Sequence, residues 1–415
     1  MSESLTPLGG TLEVLLRFGA MMLRAGDTAF RVSDSMKSLA SRLGVESLSI
    51  QIALDGMTAT ARRDDELVTI TSEIGPPGIN AWRISALEKL AREGGTGLTA
   101  RTLADKLDAI EAAPPLRSIA TVAIAIGLAS GAFSFLNGGD LLGTGMAVVA
   151  GGFGQALRAL LFRRRRNQYA VTALSAVVTA SLYCAGIASL GATGFGPGHA
   201  AGFIFSVLFL VPGFPLVASL LDAVQHQPVA ALSRLFYAIM ILLAAAIGLS
   251  AVAAVAGLAA TTAPLAPSSV DPATLALRAL ASLLAGFGFA ALYNSSTRTV
   301  LAVGVLSLFG NDLRLLLHDL GMPLPPATFF GALAVGLLAS LAEARLQEPR
   351  IVLTVPSIII MTPGLYAFQT IVMLNQGEVL TALQAGANFC FVVGAMAMGL
   401  AAARFMTERR WLVES

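Results

Sequence analysis

Residues that could do chemistry are sparse in this chain, and most of them interrupt apolar runs. Two stretches, LFLVPGFPLVASLL and SIIIMTPGLYAFQT, are each broken by a Pro-Gly pair, Pro212-Gly213 and Pro363-Gly364, with the prolines 151 residues apart. Proline removes a backbone donor and clashes with the preceding turn, and glycine beside it permits unusual dihedrals. A helix broken there frees carbonyls and amides. Its half-helix ends suit a zwitterion, N-terminal ends drawing the carboxylate and C-terminal ends the ammonium. A packing kink is the competing reading, since Pro and Gly are common in membrane helices. Recurrence at matching positions favours a substrate site at Pro212, Gly213, Pro363 and Gly364. Tyr366 and Gln369 follow the second pair on one helical face (i, i+3) and are expected to line the same cavity.

Ionisable residues inside apolar segments are the other pointers, because desolvating them is costly. Asp222 ends the apolar span His199–Asp222 that holds the first break, ten residues after Pro212. It is the candidate for proton coupling, with a helix-end role as the alternative. Asn311, Asp312 and Arg314 interrupt a later apolar run near its outer end, either as a gate or as a local ion pair. Gln155 and Asn388 are weaker candidates, and His199, His226 and His318 fall at segment ends. No catalytic residues emerge: there is no His or Cys before residue 117, no G-x-S-x-G, no H-E-x-x-H and no phosphate loop. Asp64-Asp65-Glu66 reads as a solvated turn rather than a metal site. Cys184 and Cys390 lie in apolar segments and imply no disulfide framework. No cofactor is expected.

The elements that must hold these residues divide sharply. Of the 52 Lys, Arg, Asp and Glu residues, 28 precede Ser118, although the chain has 415 residues and is 55% hydrophobic. A polar α+β front, residues 1–114, therefore precedes a polytopic α-helical membrane region. The front is expected to contain two helices within Thr11–Gly44, broken near Gly26-Asp27. Three short strands follow, with turns at Asp55-Gly56 and Asp64-Asp65, then a loop at Gly75-Pro76-Pro77-Gly78. Helices at Asn80–Arg92 and Thr99–Ala112 complete it. No basic region followed by an apolar core opens the chain, so the front is expected in the cytoplasm.

Ten stretches reach the roughly 20 apolar residues that a spanning helix needs. They run about Arg117–Phe135, Leu141–Phe162, Tyr169–Leu190, His199–Asp222 and Arg234–Ala260. The second set runs about Pro272–Tyr293, Arg298–Leu317, Pro326–Arg345, Ile351–Leu374 and Val379–Arg404. With both termini inside, 12 of the 14 arginines of this region fall on the inner side, among them Arg158 and the run Arg163 to Arg166, and only Arg278 and Arg314 fall outside. The two sets form modules at 115–262 and 263–415. Because five is odd, the second copy enters upside down, giving a 5+5 inverted repeat of the kind secondary transporters use. The net charge of +2 points to no nucleic-acid partner. The expected partners are a small-molecule substrate, protons and lipid. Small residues such as Gly143, Gly145, Gly151, Gly152 and Gly154 permit close packing within a subunit or in a homo-oligomer.

These stretches together resemble the threonine/serine exporters. The front segment LLRFGAMMLRAGDTAFRVSDSMKSLASRLG is similar to the family's N-terminal cytoplasmic part, and INAWRISALEKLARE and GLTARTLADKLDAIEAAPP to its run into the membrane. LVPGFPLVASLLDAV, which contains Asp222, resembles the Pro-Gly and Asp element of the first membrane module. VPSIIIMTPGLYAFQT resembles the Pro-Gly element of the second. The resemblance implies an inner-membrane exporter of L-threonine and L-serine driven by the proton motive force, not an enzyme. The family also includes forms split into two chains and implicated in succinate export, which makes a dicarboxylate the alternative cargo. Its front has been compared with hydrolases, but this sequence offers no nucleophile-base pair. A membrane-anchored sensor whose front binds a ligand is the remaining alternative.

Overall fold

The computed structural model describes residues 6–53, 56–75, 77–93, 97–164, 166–191, 197–258, 271–408 and 411. Asp55, Pro76, Arg165, the Ala260 end of the fifth expected span, the 262/263 module boundary, Arg409 and Arg410 lie outside the described residues. The chain divides into two compact units. One comprises residues 1–116 with 218–236 and 294–296, the other 117–217, 237–293 and 297–415.

The first unit opens with α1 (Pro7–Arg24) and α2 (Ala29–Arg42), then strands β1 (Ser47–Ile52), β2 (Gly56–Arg63) and β3 (Glu66–Glu73), then α3 (Ala81–Glu93) and α4 (Ala100–Ala112). Thr6 caps α1 by accepting the Gly9 amide, and Thr99 and Thr102 form a reciprocal capping box on α4. The strands make an antiparallel meander in the order β1-β2-β3. Strand alternation turns Met57, Ala59 and Ala61 inward, while Thr58–Thr71 and Thr60–Thr69 pair across the other face. The helices cover the inward face with Leu8, Leu12, Leu15, Phe18, Met36, Leu39, Leu87, Leu103 and Leu107, all fully buried. Burying each such side chain contributes about 1.5–3 kcal/mol. The inserted segment 218–236 adds Ala230 to this core. Arg17 bonds Asp108 and Glu111, tying α1 to α4, and this bond holds the Glu111 carboxyl below its ordinary range.

The remaining helices are apolar. They are α5 (Ile119–Leu136), α6 (Leu141–Arg163), α7 (Gln168–Ser189), α8 (Pro197–Ser206), α9 (Gly213–Val224), α10 (Pro228–Val255), α11 (Pro272–Leu292), α12 (Thr297–Asp319), α13 (Leu324–Leu346), α14 (Arg350–Ile358), α15 (Gly364–Asn375) and α16 (Val379–Thr407). Eight of them are long and apolar enough to cross a bilayer. Two bent pairs, α8 with α9 and α14 with α15, raise the number to as many as ten. Their outward faces carry large apolar side chains, Leu141 at 91% and Leu380 at 84% exposure, a surface that water does not tolerate and lipid does. The protein is a multi-pass membrane protein with a small three-stranded front. Within the second unit α5 packs on α6 and α11, α12 on α11 and α13, and α13 on α16. Small residues let these backbones approach, as where Gly288 of α11 faces the Ala125 carbonyl of α5.

The core of the first unit yields a stability prediction. Leu15→Ala is expected to cost that unit about 2–5 kcal/mol. In the full-length protein, hydrogen exchange at the β2 amides should accelerate while α12 amides stay unchanged; unaltered β2 protection would contradict this packing.

Candidate functional site at the paired helix breaks

Both Pro-Gly pairs end a run of helix in the same way. A short 3-10 turn, Leu208–Leu210 or Ile359–Met361, tightens the last residues before the pair. The Val211 amide then donates to the Leu208 carbonyl at 2.9 Å, and the Thr362 amide to the Ile359 carbonyl at 2.8 Å. The Gly213 amide closes over Pro212 onto the Val211 carbonyl, and the Gly364 amide over Pro363 onto the Thr362 carbonyl, both at 2.9 Å. Pro363 has φ −82° and ψ 63°, the geometry of an inverse γ-turn. The chain leaves each turn bent, by 62° at the first break and 52° at the second. Helices α9 and α15 begin at the breaks, so their N-terminal, partially positive ends lie there.

The two breaks are packed on each other. A β-carbon on Gly213 would sit 3.0 Å from Ile359 Cγ1 and 3.4 Å from Thr362 Oγ1. A β-carbon on Gly364 would sit 3.7 Å from Val211 Cγ2 and 4.0 Å from Leu208 Cδ1. Each glycine thus faces the residues two and five positions before the other glycine. A β-carbon at Gly213 would be tight enough to force its neighbours to shift, whereas one at Gly364 would make ordinary van der Waals contact. Pro212, Gly213, Pro363 and Gly364 are all buried, and Tyr366 and Gln369 are half-buried one turn into α15. Beside the breaks lies an apolar pocket with Leu208, Val211, Leu242, Gly364 and Phe368 in its wall. Thr362 Oγ1, buried at the crossing, has no hydrogen-bond partner.

Asn311, Asp312 and Arg314 sit close to the second break. A β-carbon on Gly331 would be 3.1 Å from Arg314 Cβ and 3.2 Å from Met361 Cε. Asp312 and Arg314 are two apart on α12 and do not face each other. In place of a direct ion pair they form a relay. Arg314 Nε donates to Asn311 Oδ1 (3.0 Å), Asn311 Nδ2 to Ser282 Oγ (2.9 Å), and Ser282 Oγ to Asp312 Oδ1 (3.0 Å). Tyr366 lies within electrostatic reach of Arg314, so these residues and the start of α15 share one neighbourhood.

Asp222 is fully buried in the other unit and does not join this group. Its Oδ1 accepts the Ala29 amide, the first of α2, at 2.7 Å, and Oδ2 lies 3.5 Å from Arg234 Nε. Thr28, the N-cap of α2, makes no side-chain cap bond of its own. Asp222 therefore caps a helix 193 residues away in sequence. Arg234 donates to the Gly26 and Asp27 carbonyls at 3.1 and 2.9 Å. Asp27 in turn bonds Arg31, which bonds Glu88, which bonds Arg92. Burial opposes the Arg31 charge, and Asp27 and Glu88 more than offset it, so its pKa lies above the ordinary value.

The sequence reading missed two things. The partner of Asp222 could not be found, because no local pattern marks a cap supplied from so far along the chain. A second arginine, Arg158 on α6, could have been found: FGQALRALL at Phe153–Leu161 and FGNDLRLLL at Phe309–Leu317 share six of nine positions.

Comparisons with known proteins agree with the resemblance. A threonine/serine exporter family model, ThrE, matches residues 13–256, and a second, "Threonine/Serine exporter, ThrE", matches residues 278–406. An uncharacterized protein of Haemophilus influenzae is 30% identical over 28% of this chain and 41% of its own length. The "Probable succinate transporter subunit YjjP" of Escherichia coli is 24% identical over 56% of this chain and 90% of its own length. The chain thus spans less than half of the first of these relatives and most of the second. No solved structure matches. Matched in its front and in both halves of its apolar region, the chain belongs to the threonine/serine exporter family of membrane transporters.

Proposed function

We propose that the protein exports small hydroxy amino acids, L-threonine and L-serine, across the cytoplasmic membrane by alternating access around the crossed Pro-Gly breaks. The observation that carries this reading is the reciprocal packing of Gly213 on Ile359 and Thr362, and of Gly364 on Leu208 and Val211. Two helix breaks in contact bring their half-helix ends together, which suits a zwitterion. The residues assigned to the cargo are Pro212, Gly213, Pro363, Gly364, Tyr366 and Gln369, with Asn311, Asp312 and Arg314 as the gate.

The reading takes 1–114 as an accessory domain and 115–262 and 263–415 as five-span modules in inverted orientation. Matching helix registers support it. Helix α12 repeats α6 at a spacing of 156 residues, and α15 repeats α9 at 151, with equal lengths in both cases. Gly248 of α10 faces Ala173 and Ala176 of α7, and Gly399 of α16 faces Phe329 and Ala332 of α13 at the same two spacings. The excess of arginines on one side supports cytoplasmic termini.

Proton-driven antiport is assigned to Asp222. A carboxylate that caps α2 when ionised would couple proton binding to the seating of the front. A dicarboxylate such as succinate is the second reading, favoured by the buried Arg314 and by the similarity to the Escherichia coli protein. A ligand-sensing front is the third, and a polar cleft lined by Glu13, Arg17, Arg24, Glu73 and Glu111 is its support.

Counterflow of radiolabelled threonine into proteoliposomes tests the cargo. Saturable exchange that serine competes for is expected; exchange of succinate alone would replace the cargo, and no exchange of either would remove the reading. Pro212→Ala and Pro363→Ala should each slow exchange by at least about tenfold, a change worth about 1.4 kcal/mol. Asp222→Asn keeps a capping side chain but cannot titrate. It should retain counterflow to within about threefold and lose efflux driven by a pH gradient, on the usual equivalence of rate and free energy. Equal loss of both activities would show that Asp222 serves structure rather than coupling.

A further inference from the structure

The repeated nonapeptide places two arginines alike. Helices α6 and α12 are both 23 residues long, and Arg158 and Arg314 each lie five residues before the end. The glycine four residues earlier seats each motif on one 3-10 turn. A β-carbon on Gly154 would come 2.9 Å from Phe209 Cζ, and one on Gly310 would come 2.9 Å from Met361 Cε. Each arginine reaches the amide side chain one turn before it, Arg158 to Gln155 Oε1 at 3.5 Å and Arg314 to Asn311 Oδ1 at 3.0 Å. Tyrosines lie within electrostatic reach of both, Tyr237 and then Tyr293 for Arg158 and Tyr366 for Arg314. Tyr293 packs edge-on against Phe214, the residue after Gly213, and Tyr366 is two residues after Gly364.

Neither of these two arginines makes a direct ion pair, and Arg314 reaches the Asp312 carboxylate only through Asn311 and Ser282. Arg278 pairs with Asp319, Arg350 with Glu343 and Glu408, and Arg404 with Glu408. Among the described residues no Asp or Glu lies within ion-pair distance of Arg158 or Arg314. Arg158 Nε is buried with no hydrogen-bond partner, and its guanidinium rests on the Phe162 ring at 5.0 Å. An arginine cannot shed its proton, so a guanidinium held from water without a direct counter-ion, fully for the buried Arg314 and in part for the half-buried Arg158, costs free energy until an anion arrives. Its forked donors match a carboxylate.

Resting on the exporter reading, we infer that Arg158 and Arg314 are equivalent carboxylate-binding residues, one at each helix break, that receive the carboxylate of the cargo in turn as it passes. A phospholipid phosphate offers the same anionic oxygens, so the test must separate the two sources.

The experiment is thermal unfolding of the full-length protein in lipid-free nonionic detergent, titrated with L-threonine, L-serine, succinate or the amino alcohol L-threoninol, which lacks the carboxylate. Wild type should be stabilised saturably by at least one carboxylate and not by threoninol. Arg158→Gln and Arg314→Gln should each raise the apparent Kd at least about tenfold, the loss expected for a charged hydrogen bond. Arg158→Lys, which keeps the charge without the fork, should fall between and shows that the site tolerates substitution. Unchanged affinity in both glutamine variants would overturn the inference. So would stabilisation by phosphatidylglycerol micelles with none by any carboxylate. Stabilisation by succinate alone, lost in both variants, would keep the arginines and remove the hydroxy amino acids. Threonine counterflow that survives in both variants would keep the exporter and remove the arginines.

Discussion

A backbone that stops being helical inside hydrocarbon must still satisfy its polar groups, because no water is there to do so. This chain meets that demand twice, at Pro212-Gly213 and at Pro363-Gly364. At each Pro-Gly pair the preceding carbonyls accept local amides, Leu208 and Ile359 through a 3-10 turn, then Val211 and Thr362 through a γ-turn over the proline. The two bends pack on each other, Gly213 against Ile359 and Thr362 and Gly364 against Val211 and Leu208, with an apolar pocket beside them. That mutual packing gives a physical reason for the same sequence device to stand at both breaks.

The same economy of partners explains the front. Helix α2 starts at Thr28, whose side chain makes no cap bond, and the missing acceptor comes from Asp222 at the far end of α9. Arg234 then holds the carbonyls of the Gly26-Asp27 break. The first unit therefore includes residues 218–236, and its stability is not separable from them. The Asp222 carboxylate is held by the Ala29 amide and Arg234, and the adjacent Asp27 by Arg31, which also bonds Glu88.

Much of this was legible in the residues. Hydropathy locates most of the spans to within a few residues, because a membrane helix is defined by its own length and polarity; the fifth starts at Pro228 rather than near Arg234. The three strands and four helices of the front follow from alternation, from Gly26 and Gly44, and from the Pro-Gly loop before Asn80, all local signals. The breaks were legible because proline and glycine act on their own backbone. What lay beyond reach was pairing at a distance. That Gly213 meets Thr362, or Asp222 meets Ala29, depends on packing that no window of sequence contains. At Arg314 the i, i+2 spacing to Asp312 argues against a local ion pair, but the relay through Ser282 of α11 depends on the fold. Arg158 was counted only as a positive charge on the inner side, although the repeated FG-x-x-LR pattern was visible in the sequence.

The central claim is that the crossing of the two breaks is where the cargo sits and where access alternates. Single cysteines at Val211 and at Thr362, in a chain whose Cys184 and Cys390 are replaced by alanine, test it most directly. Each is treated with a membrane-impermeant thiol reagent from one side of oriented vesicles, with and without threonine. The account predicts that both positions are labelled from either side, that threonine slows the labelling, and that an imposed pH gradient shifts it towards one side. Labelling that is absent from one side under every condition, or that threonine leaves unchanged, would contradict it.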